Sequence, residues 1–131
     1  MGAAAATDTG AVTAEDAVAW VNEVHLCGRV SGTPQEKTLP SGDVVVLFRL
    51  VVPRPAVRRT GAARAAATKG AVVDTLDVAC WTARSRKAAL RLGDGDAAEV
   101  TGSLHRRFFR AGGAAASRYE VAAAGVARIR R

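Results

Sequence analysis

Nine consecutive residues, VVVLFRLVV at positions 44–52, constrain the fold more than any other stretch. They are nearly all β-branched or large apolar residues, and Arg49 carries their single charge. Such side chains suit a pleated, half-buried surface and lose rotamer freedom in a helix. The run is far too short to cross a membrane as a helix. It reads as a long central strand with Arg49 on the outward face.

A central strand needs partners, and the rest of the chain supplies them. VNEVHLCGRV (21–30) alternates, with Val24, Leu26, Gly28 and Val30 on one face and Glu23, His25, Cys27 and Arg29 on the other. That is a half-buried strand. TPQEKTLPSGD (33–43) holds two prolines and a glycine and is predicted to end this strand in a turn. VVDTLDVACW (72–81) sets Leu76, Val78 and Cys80 against Asp77, Ala79 and Trp81. TARSRKAALRL (82–92) has helical composition and is closed by Gly93 and Gly95. AAEVTGSLHRRFF (97–109) is a fourth strand, RAGGAAAS (110–117) a turn and RYEVAAAGVARI (118–129) a fifth strand. Five strands with one helix between the third and fourth predict an all-β OB-fold barrel. Helix-free five-strand barrels and two-layer α+β folds are the alternatives. Residues 1–19 are small and polar and read as a flexible arm, with a short helix around AEDAVAW as an option, ahead of one domain over residues 20–131.

The charge is uneven. The chain carries +7 overall, but residues 1–20 contain three acids and no base, so the remainder sets all 19 basic groups against nine acids. A basic body favours polyanions. Residues 53–70, PRPAVRRTGAARAAATKG, hold five of those bases and no acid, and read as a long basic loop. No run of 18 apolar residues exists, and the N-terminus lacks the pattern of a secretory signal. Cys27 and Cys80 read as reduced thiols of a cytosolic protein. His25 and His105 read as surface residues, and no spacing suggests a metal or cofactor site. No phosphate-binding glycine loop or nucleophile–base arrangement is present, and Asp94 and Asp96 in GDGD read as turn residues. An enzyme is the least favoured class.

Two rings ask for an explanation. Along the fourth strand Val100, Gly102, Leu104 and Phe108 share a parity, whereas His105, Arg107 and Phe109 share the other. Phe108 is therefore expected in the core or packed at the barrel end, and Phe109 on the outside beside arginine. Trp81 likewise falls on the polar face of its strand. Rings left on a cationic surface can stack unpaired bases of any sequence. The alternatives are a Trp81 packed under the helix or in a subunit interface, and a Phe109 packed on the hairpin loop.

With these segments in place, the chain resembles the bacterial single-stranded DNA-binding protein family. VNEVHLCGRV is similar to that family's opening strand, LPSGDVVVLFRLVV to its Pro-Ser-Gly turn and second strand, LDVACW to its third, GDGDAAEVTGSLHRR to its turn and Val-x-Gly-x-Leu strand, and YEV to the start of its fifth. The resemblance implies an OB-fold, often a homotetramer, that coats single strands in replication, repair and recombination, in a cytoplasmic, nucleoid-associated setting. It maps family stacking positions onto Trp81 and Phe109. Two further family aromatics correspond here to Ala56 and Thr75, and the chain ends ARIRR where the family carries an acidic tip.

The resulting expectation is sequence-tolerant binding of single-stranded DNA, with Trp81 and Phe109 stacking bases. Arg49, Arg54, Arg58, Arg59, Arg107 and Arg110 are expected to contact phosphates. No cofactor, small-molecule substrate or membrane partner is expected. A protein–protein module on the same fold, or a general polyanion or RNA binder, is the competing expectation.

Overall fold

The computed structural model describes residues 19–55 and 72–130. The N-terminal arm, most of the basic loop, Ala56, Arg58 and Arg59 lie outside the described residues. The element order is β1 (Val24–Thr38), β2 (Val44–Pro53), β3 (Val73–Cys80), α1 (Ala83–Leu90), β4 (Ala97–Ala111) and β5 (Ala114–Arg128). The strands close into a barrel in the order β1-β2-β3-β5-β4. All pairings are antiparallel except β3 with β5. This is the OB-fold expected from the sequence, with its helix between the third and fourth strands.

Closure depends on β1 serving two ladders. Its first half pairs with β4, from Val24↔Gly102 to Arg29↔Ala97. Its second half pairs with β2, out to Thr38↔Val44. The predicted turn at 33–43 is therefore too long. β1 continues through buried Pro34, because a register shift between Ser31 and Gln35 absorbs the proline and bends the strand. Gly32 takes φ 82° there, and its N–H donates to Asp94 Oδ1 at 2.7 Å. The actual turn is short: Gly42 N–H donates to Leu39 O at 2.8 Å, with Gly42 at φ 93°.

Two motif glycines have a steric cause. A Cβ on Gly28 would fall inside van der Waals contact with the Val51 carbonyl, and one on Gly102 would collide with the Ala122 carbonyl. At both, the backbone of a neighbouring strand leaves no room for a side chain, and β4 and β5 shift register between Thr101 and Gly102. Asn22 explains the other end of the opening motif. Its side chain donates to Leu104 O and accepts from Leu104 N–H, both at 2.9 Å, and so extends the β1–β4 ladder with a side-chain amide.

The central cluster follows the predicted parity, although Ala79, placed with the polar face of its strand, is buried as well. Val30, Val46, Phe48, Leu50, Val78, Cys80, Val100 and Val121 point inward, and Ala89 and Leu92 bring α1 and the turn after it onto that cluster. The helix starts at a capping box: Thr82 Oγ1 accepts from Ser85 N–H at 3.1 Å, and Thr82 N–H donates to Ser85 Oγ at 3.2 Å. Burial pushes the Cys80 thiol up to about 11, offset in part by its hydrogen bond with Ser85. The Asp94 and Asp96 carboxylates serve the backbone; Asp96 Oδ2 accepts from Gly93 N–H at 2.8 Å.

Candidate nucleic-acid interface

The outward faces of β1, β2, β3 and the β4–β5 pair meet in one groove of about 360 Å³. Ser31, Thr33 and Gln35 of the bent part of β1 form one wall. Arg49 enters from β2, Asp77 from β3, and Arg107, Arg118 and Glu120 from the β4–β5 pair. Cross-strand register dictates this meeting: Arg49 lies opposite Asp77, and Arg107 opposite Arg118.

Three guanidinium groups therefore share the groove with two carboxylates. Asp77 bridges two of them, with Arg49 Nε at 3.6 Å and Arg118 Nη1 at 3.3 Å. Arg107 Nε donates to Glu120 Oε1 at 3.1 Å, and Glu120 is buried. Arg49, Arg107 and Arg118 remain about half exposed, so one side of each can still meet a ligand. Such pairs contribute little to stability when solvated. They act here as positioners, holding long flexible side chains over the groove.

The expected contact residues divide into groups. Arg49 and Arg107 come together in the groove. Phe109 is half-buried on the same face of β4 as Arg107, whose guanidinium lies 5.4 Å from the ring centroid. Trp81 follows the last residue of β3 and keeps 39% of its surface exposed, so it is not sealed under the helix. It does not line the groove. Arg54 is engaged elsewhere: its Nε and Nη2 grip Asp74 at 3.0–3.2 Å, beside the Pro53↔Val73 end of the β2–β3 ladder. Arg110 alternates to the opposite face of the hairpin from Arg107 and donates to Gly113 O at 2.9 Å.

One expectation is corrected. Phe108 follows core parity but is 69% exposed. The cause is the length of the hairpin. β4 and β5 pair out to Ala111↔Ala114, whereas the pairing of β4 with β1 stops at Gly102. The predicted turn at 110–117 contracts to Gly112 and Gly113, both with positive φ. Beyond the barrel, core parity points at solvent. Asp77, Arg118 and Glu120 were missed as groove residues. The Arg-x-Glu spacing at 118 and 120 was the available signal, but placing 110–117 in a turn hid the register that sets it opposite Arg107.

Among the described residues, one grouping has metal-ligand chemistry: His25, Cys27 and Glu99, whose donor atoms lie within 4.8 Å of one another. Cys27 faces Glu99 across the β1–β4 ladder, and His25 Nε2 hydrogen-bonds Glu99 Oε2. No helix among the described residues is long and apolar enough to cross a membrane.

Solved structures repeat this architecture. The Plasmodium falciparum SSB in complex with ssDNA superposes with a TM-score of 0.66 at 20% identity, covering 85% of this chain and 96% of that one. The small single-stranded DNA-binding protein from Streptomyces coelicolor gives 0.56 at 21% identity, over 82% and 93% of the two chains. A deletion mutant of the Thermus aquaticus single-stranded DNA binding protein gives 0.65 at 18%, over 84% of this chain and 51% of that one. At these identities the likeness establishes the fold. No curated protein sequence matches the chain. The family model of the single-strand binding proteins, however, matches residues 21–129, from the opening strand to the end of β5, and on that match the chain belongs to the single-strand binding protein family.

Proposed function

We propose that this chain binds single-stranded DNA largely without sequence preference, as a non-enzymatic coat in replication, repair or recombination. The observation that carries this reading is the groove in which Arg49, Arg107 and Arg118 converge beside the ring of Phe109. A chain of the same fold is known with ssDNA bound. Phosphates take the exposed sides of the guanidinium groups. Bases stack on Phe109 and Trp81, each stacked base contributing about 1–3 kcal/mol. Paired bases hide their faces, so the rings favour unpaired strands, while the arginines supply salt-sensitive affinity. Arg54, Arg58 and Arg59 bring further charge from the stretch of sequence between β2 and β3. A homo-oligomer, a tetramer by family resemblance, would join several such paths and add avidity. A cytoplasmic, nucleoid-associated location follows from the same reading.

One observation favours a second reading, a protein–protein module. Every groove arginine already has a carboxylate partner, and the family's third-strand aromatic is here the exposed Thr75. Titration with oligo(dT) at two salt concentrations separates the two. DNA binding gives an affinity that falls steeply with salt; undetectable binding at low salt leaves the interaction module.

A further inference from the structure

The β4–β5 hairpin has two faces, and the groove uses one. The other carries Leu104, Arg106, Phe108 and Arg110 from β4 and Ser117 and Tyr119 from β5, by register. Phe108 and Tyr119 are 69% and 60% exposed, and Leu104 is 48% exposed. Arg106 lies between the rings, its guanidinium carbon 4.8 Å from the Phe108 centroid and 5.6 Å from that of Tyr119. Its Nε donates to Ser117 Oγ at 3.1 Å, which fixes it there. No carboxylate belongs to this face of the hairpin among the described residues, whereas its groove face sets Arg107 and Arg118 beside Glu120. Beyond the barrel the hairpin is flanked by no other strand among the described residues.

Exposed rings separated by a guanidinium, with no acid on their face, match a ligand with both π-faces and negative charge. We propose that Phe108, Arg106 and Tyr119 form a second stacking site for unpaired nucleobases, so that a single strand leaving the groove turns around the hairpin and runs along its far face. This rests on the DNA-binding reading above and extends it: the adjacent rings Phe108 and Phe109 serve opposite sides of one ribbon. It also gives Arg110 a phosphate to hold, on the Phe108 side.

The test uses the full chain, F108A/Y119A beside W81A/F109A, with oligo(dT) probes of two lengths. A probe of about 10 nucleotides stays within the span of one OB-fold, and one of about 35 reaches past it. F108A/Y119A is expected to weaken the long probe by about tenfold or more and the short one by less than about threefold. A 5-iodouracil-substituted long probe is expected to photocrosslink to Tyr119. Unchanged long-probe affinity without Tyr119 adducts overturns the proposal, and a simultaneous loss of oligomer mass would assign the face to a second copy of the chain. If W81A/F109A weakens both probes while F108A/Y119A weakens neither, only this second site falls. If wild type binds neither probe at low salt, this site and the proposed function fall together.

Discussion

Asp77 offers a gain-of-function test. It sits between Arg49 and Arg118, 3.6 and 3.3 Å from their nitrogens. A phosphate docked on the exposed side of either arginine would lie roughly 6 Å from this carboxylate. At a solvent-like dielectric the repulsion is about 0.7 kcal/mol per phosphate. Asp77→Asn removes that repulsion for two phosphates while preserving shape and an acceptor for Arg118. After screening, which reaches about 10 Å at 0.1 M salt, the expected rise in affinity for oligo(dT) is about three- to tenfold. The salt dependence should steepen, by up to about 0.7 in log–log slope for each additional phosphate neutralised. Stability should fall by no more than about 1 kcal/mol, because both arginines are half exposed. Fluorescence anisotropy with a labelled oligonucleotide at about 50 and 200 mM salt, together with a thermal melt, reads all three. Weaker binding by a well-folded Asp77→Asn protein would refute the idea that Asp77 competes with phosphate in this groove.

Other variants probe the frame. Gly102→Ala drives a Cβ into the Ala122 backbone and should cost about 2–3 kcal/mol, read by denaturant unfolding; an unchanged midpoint would contradict the close approach. Asn22→Ala removes both hydrogen bonds to Leu104, and should cost about 1–2 kcal/mol and speed amide exchange at Leu104. Cys80 is buried and its thiol is pushed up to about 11 from 9.0, so its contribution to stability is fully present below pH 9.0 and is lost as pH rises through about 11. Native-state alkylation below that range should modify exposed Cys27 and spare Cys80.

The barrel was legible because period-2 patterning is a local signal: the inward set Val46, Phe48 and Leu50 can be read from one run of sequence. The extent of the strands was less so. Pro34 reads as a strand breaker, yet a bulge carries β1 past it, and that depends on β2 and on the Asp94 hydrogen bond from another loop. Small residues at 110–117 read as a turn, but cross-strand pairing extends both strands to Gly112 and Gly113. That length is what exposes Phe108 despite its core parity. The groove shows the same division. Arg49 and Arg107 could be picked from charge and parity, whereas their partners Asp77 and Glu120 come from register, a property of strand pairs. Arg110 shows the limit of composition: close to Arg107 in sequence, it lies across the ribbon from it.

On the proposed function, uncovered rings, and not charge alone, select unpaired strands. This claim is tested most directly by titrating wild type and W81A/F109A with oligo(dT) in the presence of duplex competitor. The wild type should hold the unpaired strand against duplex, and the double variant should lose most of that preference while keeping weak, salt-sensitive binding. Equal affinity of the two proteins for the unpaired strand would contradict the claim.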